Sequence, residues 1–191
     1  MKRIALFGGS FDPVHRGHLL VAQAAVEELK LDRVIFIPAA QSPFKPDRVL
    51  ASTQLRLAML RMALAGRTYA EVDEMEIARG GISYTIETVR TLRDRHPDSE
   101  LHYLIGADHV AHLPKWREAD ELARLVEFVV IPRPGEPTVP VPSPFIARQL
   151  RGFPLGVSAS QIRERCRARL DISLLTPATV AEFIRTNHLY L

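Results

Sequence analysis

Two histidines three residues apart, His15 and His18, stand in the stretch Gly8-Gly9-Ser10-Phe11-Asp12-Pro13-Val14-His15-Arg16-Gly17-His18. If a helix begins by His15, both imidazoles share one face, and Gly17 leaves room between them. An imidazole, neutral or cationic, donates to phosphate oxygens, and its charge can rise as charge builds on a phosphate. Glycines let a phosphate approach the backbone closely, and a helix N-terminus offers free N–H groups and a partial positive charge. Neither Gly-x-Gly-x-x-Gly nor Gly-x-x-x-x-Gly-Lys-Ser/Thr occurs, so the two histidines stand where those phosphate motifs would. A metal site would need a third ligand nearby, and no His-Glu-x-x-His pattern supplies one. The competing reading is a pair of structural histidines.

Later segments carry complementary groups. Ser158-Ala159-Ser160-Gln161 has the Ser-x-x-Gln form of a capping box opening a helix, and Arg163 follows within two turns. A helix N-terminus with a hydroxyl and an arginine can clamp a triphosphate, or can be an ordinary cap with a surface arginine. Lys45, in Ser42-Pro43-Phe44-Lys45-Pro46, is held out on a stiff loop, as a point charge for phosphate or as a solvated side chain. Asp108 follows a strand and Gly106; it can accept from ribose hydroxyls, cap the next helix, or both. Trp116, the single tryptophan, offers a flat surface for core packing or for stacking on a ring. Thr85, in Ser83-Tyr84-Thr85, opens a helix whose free N–H groups could receive an anion; a plain N-cap is the alternative.

These residues need a scaffold, and the hydrophobic pattern supplies one. Residues 4–7 and 33–37 read as buried strands, with an amphipathic helix over 16–30 between them. That is the length of one βαβ unit, whose crossover should be right-handed. A helix is expected over 52–65 with Ser52 as N-cap, an extended segment over 70–78, and a helix over 84–95. Strands follow at 101–105 and 127–131, with a short helix at 118–125. Residues 132–154 hold seven of the 14 prolines and read as a stiff surface excursion, interrupted by a short helix at 143–150. A strand-like segment at 153–157 and helices at 159–169 and 177–187 close the chain. Apolar strands each followed by a helix predict an α/β fold: a doubly wound, mostly parallel sheet with helices on both faces. The first turn, where a strand hands over to a helix, is where such sheets bind ligands.

Composition agrees with this reading. The chain has 191 residues, the size of a single domain, expected to span 1–191. Hydrophobic residues make 47% and charged residues 25%, which excludes collagen-like, coiled-coil and wholly disordered chains. No apolar run approaches the ~20 residues that span a bilayer. The lead Met1-Lys2-Arg3 is basic, but four apolar residues before Gly8 are too few for a signal-peptide core. The lone Cys166 excludes an internal disulfide and a multi-cysteine zinc site, so a reducing, cytoplasmic setting is expected. The net charge of +3 does not by itself imply nucleic acid. Arginines 148, 151, 163, 165, 167 and 169 make a late basic cluster that could face a phosphate or only solvent.

His15-x-Gly17-His18 within Gly-Ser-Phe-Asp-Pro-x-His resembles the signature of the HxGH nucleotidyltransferase superfamily, whose members transfer an adenylyl or cytidylyl group to a phosphate or acid. Further pieces resemble the bacterial nicotinate-nucleotide adenylyltransferases: Ser83-Tyr84-Thr85, Ile105-Gly106-Ala107-Asp108, Leu113-x-x-Trp116, Arg133-Pro134-Gly135, Val157 to Arg163, and His188-Leu189-Tyr190. They run in order from the first strand to the last helix. The resemblance implies adenylyl transfer from ATP to nicotinate mononucleotide, giving nicotinate adenine dinucleotide and pyrophosphate in NAD synthesis. It implies His15, His18, Lys45 and Arg163 as catalytic residues. ATP would meet Gly8, Gly9, Ser10, Phe11, His15, His18, Gly106, Asp108, Ser158, Ser160 and Arg163. Nicotinate mononucleotide would meet Lys45, Tyr84, Thr85, Trp116 and Arg133. Mg²⁺ would arrive with ATP, with no dedicated protein cage. Neither nucleic acid nor membrane is expected as a partner, and a homo-oligomer is left open. A phosphopantetheine adenylyltransferase would share the first turn but needs no Trp116 or Thr85 for a pyridine ring. A nucleotide-sensing module without turnover is the rival from another class; His15, His18 and Arg163 speak against it. The chain departs from the family pattern twice. Phe44 precedes Lys45 where the family often has histidine, and Ala159 removes one of two hydroxyls, leaving Ser160.

Overall fold

The computed structural model describes residues 1–43, 49–132, 140–152 and 155–191. Lys45 and Arg133 lie outside the described residues. A six-stranded, all-parallel sheet runs through the rest: β1 (Lys2–Gly9), β2 (Arg33–Pro38), β3 (Ala70–Val72), β4 (Ser99–Gly106), β5 (Glu127–Ile131) and β6 (Ala147–Gln149). The spatial order is β3-β2-β1-β4-β5-β6. The chain winds outward from β1 to β3, then returns to the other side of β1 for β4. The winding reverses between β1 and β4, so a crevice opens at their carboxyl ends, where Gly8, Gly9 and Gly106 lie.

Period-two alternation explains the two-faced core. Ala5, Phe7, Val34 and Phe36 face one side, under α1 (Arg16–Leu29), α2 (Thr53–Leu64), α7 (Ala159–Arg167) and α8 (Ala178–Thr186). Ile4, Leu6, Ile35 and Ile37 face the other, under α4 (Thr85–Arg95), α5 (Ala107–Val110) and α6 (Ala119–Leu125). Both faces are covered, which is why these strands read as unbroken apolar runs. Each fully buried aliphatic side chain contributes roughly 1.5–3 kcal/mol, so the sheet is a stiff platform for its carboxyl-end loops.

The structure corrects three expectations. The segment 70–78 is extended only through β3; it then forms a short helix, α3 (Met75–Arg79), whose Glu76 is buried. The short helix expected at 143–150 is absent, and β6 stands there, pairing Phe128 with Ala147 and Val130 with Gln149. Three residues are too few to display a period, and their exposure hides them among prolines. The strand expected at 153–157 begins outside the described residues, and 155–157 is not a strand. Among the described residues, no helix is long and apolar enough to cross a membrane.

Candidate active site

A cleft of about 1010 Å³ opens over the carboxyl ends of β1 and β4. Gly8, Gly9, Ser10, His15, His18, Thr85, Gly106, Asp108, Trp116, Ser158 and Ser160 all line it, so residues separated by most of the chain share one cavity.

His15 is the N-cap of α1, with extended backbone (φ −144°, ψ 171°), and not its first helical residue. The expected shared face is nevertheless made. The rings of His15 and His18 stack with centroids 3.7 Å apart and planes 28° from parallel. The His15 backbone N–H donates to His18 Nδ1 at 3.2 Å. With Nδ1 accepting, a neutral His18 carries its proton on Nε2, the donor left for a ligand. Beneath His18 lies an aromatic bed: Phe11 meets it edge-on at 5.0 Å, and Phe7 lies 5.9 Å away. Burial against such surroundings disfavours the imidazolium. His15 is pushed down to about 4, and His18 is lowered by burial and by its neighbour His15. Without a ligand the pair is therefore neutral at pH 7.

Three glycines sit in close contact with site side chains. A Cβ on Gly17 would lie 3.0 Å from both His15 Nδ1 and Val157 Cγ1. One on Gly8 would sit 2.6 Å from the Tyr103 hydroxyl, and one on Gly106 would sit 2.5 Å from Asp108 Oδ1. Gly106 is the N-cap of α5, so Asp108 lies inside that first turn and does not cap it. Its Oδ2 is 3.6 Å from His109 Nε2.

Phe11 does not line the cleft; it is buried beneath the turn at positive φ (45°). Arg163 also lies behind the wall. Its guanidinium donates to the Asp12 carbonyl at 2.7 Å and to Ser160 Oγ at 2.9 Å, tying α7 to the first turn. Ser158 caps α7 as expected, accepting from the Gln161 N–H at 3.2 Å. Tyr84, not Thr85, is the N-cap of α4. Its ring lies under the Arg117 guanidinium at 4.7 Å. Tyr84 faces a smaller cavity of about 270 Å³, which Trp116 and Thr85 share with the main cleft. Trp116 forms the partition, edge-on to Tyr103 (6.1 Å) and Phe128 (6.2 Å).

Some residues were not legible as site residues. Tyr103 lines the cleft with its hydroxyl 3.5 Å from Thr85 Oγ1, and burial holds it protonated above the usual phenol range. It shares a strand face with Leu101 and Ile105, so a polar-tipped aromatic on an apolar face is the available signal. Glu76 lines the cleft too, with its carboxyl pushed up by burial and accepting from Thr88 Oγ1 at 2.5 Å. Ser83 ties the loop after β2 to α4: its Oγ accepts from the Ala40 N–H at 3.0 Å, and its N–H donates to the Gln41 carbonyl at 2.9 Å. Arg56 is 1% exposed and donates to the carbonyls of Ser10 (2.7 Å) and Ala51 (3.1 Å). It shares a helix face with Met59, Leu60 and Ala63, and an arginine on that stripe was its signal. Among the described residues, no group of three or more His, Cys, Asp or Glu is placed to hold a metal ion.

Residues 6–165 match the family model described as cytidylyltransferase-like. A protein of Opitutus terrae named "Probable nicotinate-nucleotide adenylyltransferase" is 42% identical over 191 residues, covering 98% of this chain and 97% of that one. A protein of Bacillus licheniformis with the same name is 38% identical over 190 residues, covering 100% and 99%. Among solved structures, Plasmodium falciparum nicotinic acid mononucleotide adenylyltransferase complexed with NaAD superposes with a TM-score of 0.81, covering 100% of this chain and 98% of that one. At 17% identity that likeness speaks for the fold.

Proposed function

Because the chain belongs to the cytidylyltransferase-like family, and within it to the nicotinate-nucleotide adenylyltransferases, we propose that this cleft joins nicotinate mononucleotide to ATP. The phosphate oxygen of the mononucleotide attacks the α-phosphorus of ATP. The bond from that phosphorus to the α–β bridging oxygen breaks, and pyrophosphate leaves. The attacking phosphate is already ionised at pH 7, so no strong general base is needed. The task is to hold two polyanions in line and to stabilise charge on the α-phosphate and the leaving group.

The observation that carries this reading is the stacked His15–His18 pair at the glycine turn, lining one cleft with Thr85, Asp108 and Trp116. Neutral imidazoles can bind phosphate as N–H donors, and an entering polyanion raises their pKa, so positive charge can grow where negative charge accumulates. Arg163 supplies fixed positive charge from behind the first turn, and Lys45 is assigned to the same field. Gly8, Gly9, Ser10, Ser158 and Ser160 are assigned to the nucleotide phosphates, and Asp108 beside Gly106 to the ribose. Thr85, Trp116, Tyr84 and Arg133 are assigned to the acceptor. Mg²⁺ enters with ATP as part of the substrate, held by phosphates and water.

The direct test is pyrophosphate release on mixing the protein with ATP, Mg²⁺ and each acceptor in turn. Nicotinate mononucleotide should support release, and phosphopantetheine should not. His18→Ala should reduce turnover by about 10²–10³ while the protein stays folded. Near-full turnover in that variant would remove the catalytic assignment.

A further inference from the structure

The last residues of the chain return to the first turn. After α8, His188 and Tyr190 adopt positive φ (50° and 65°). The Leu189 N–H donates back to the Ile184 carbonyl at 3.0 Å. Non-glycine residues enter that backbone region at a cost, so something must hold them there. What holds Tyr190 is a hydrogen bond spanning 178 residues: its hydroxyl donates to Asp12 Oδ1 at 2.8 Å. Asp12 is 1% exposed, and its Oδ1 also accepts from the Ala51 N–H at 3.3 Å. The Asp12 carbonyl accepts from Arg163 Nη1 at 2.7 Å, and Asp12 Oδ2 lies 4.0 Å from the same nitrogen. Buried Arg56 donates to the Ser10 carbonyl two residues earlier.

The aspartate is thus a buried anion between two arginines, and the turn hanging from it carries His15 and His18. A carboxylate in this setting needs its oxygens satisfied to hold one orientation. Tyr190 supplies a donor from the far end of the chain. Burial and the nearby Asp12 keep that phenol protonated well beyond its usual range, so it donates at any working pH.

We infer that Tyr190 is a positioning residue for ATP: through Asp12 it fixes the first turn and the Arg163 guanidinium in the geometry that receives the triphosphate. Tyr190 does not line the cleft and acts only through Asp12. The inference rests on the assignment of Arg163 and the first turn to ATP.

Tyr190→Phe removes one hydroxyl and keeps the ring. The expected result is a KM for ATP raised roughly two- to tenfold, the range one lost hydrogen bond gives. The KM for the mononucleotide should stay within twofold. Phe183, half-buried on α8 and outside the lining of the substrate cleft, supplies the control. Phe183→Leu should lower thermal stability without moving either KM. A combined Tyr190→Phe, Arg163→Lys variant should lose less than the product of the single losses, because both act through Asp12. Calorimetric ATP binding to the full-length chain reads the same effect without turnover, with Tyr190→Phe expected to bind more weakly. An unchanged ATP affinity in Tyr190→Phe, or an equal loss in Phe183→Leu, overturns the inference. Absence of pyrophosphate release in the parent removes the adenylyl-transfer reading instead, and calorimetry still decides the role of Tyr190.

Discussion

His15 and His18 stack ring on ring, 3.7 Å apart, with the His15 N–H bound to His18 Nδ1. Two imidazolium ions could not share that contact without strong repulsion, so the arrangement selects neutral rings. A bound polyphosphate can then turn one of the two rings into a cation. The consequences reach both stability and chemistry.

The first consequence is acid sensitivity. His15 titrates near 6.5 when unfolded and at about 4 when folded. Below pH 6.5 the unfolded chain therefore binds more protons than the folded one. Stability is fully present above pH 6.5 and is lost as pH falls towards about 4, by up to roughly 3 kcal/mol for this residue. The lowered His18 adds in the same direction. Urea midpoints measured from pH 7 to pH 4 should fall less steeply in His15→Asn, which puts a favoured N-cap residue at that position and cannot titrate. Parallel profiles for parent and variant would contradict the burial argument.

Gly17→Ala separates packing from chemistry. An alanine inside a helix is favoured over glycine by up to about 1 kcal/mol. Its Cβ would press on the His15 ring and on Val157 at 3.0 Å. The two effects nearly cancel in stability, which should change by less than about 1 kcal/mol. The His15 ring, however, must shift by a few tenths of an ångström, and catalytic geometry tolerates such shifts poorly. Turnover should drop tenfold or more with an unchanged melting temperature. A variant as active as the parent would show that the close approach of Gly17 to His15 is incidental.

Trp116 should contribute affinity without choice. Its ring partitions the cleft and can stack on a pyridine whatever substituent that ring carries. Under the proposed assignment, choice should come from backbone N–H donors at the start of α4, near Thr85, which suit a carboxylate and leave an amide's NH₂ facing donors. One mismatched buried polar group costs about 1–3 kcal/mol, so nicotinate mononucleotide should be preferred over its amide by about 10- to 1,000-fold. Trp116→Ala should raise KM for both mononucleotides and leave the ratio of their specificity constants within about threefold. A collapse of the ratio would transfer the choice to the tryptophan.

The sequence alone determined the periodic elements and the chemistry of the first turn. Strands such as Ile4–Phe7 and helices such as α1 are local consequences of period, caps and turn residues, and local patterns are written in order. The same holds for the His15–Gly17–His18 spacing, which required a shared face whether the helix began at His15 or one residue later. Relationships between distant segments were decided only in the folded molecule. The three-residue β6 exists because β5 offers a free edge to pair with, and too short a segment carries no period of its own. The burial of Arg56 against the Ser10 carbonyl, the reach of Tyr103 past Gly8 and the bond from Tyr190 to Asp12 join segments far apart in the chain. Which segments meet is decided by packing both faces of the sheet at once, a property of the whole chain that no window of residues contains.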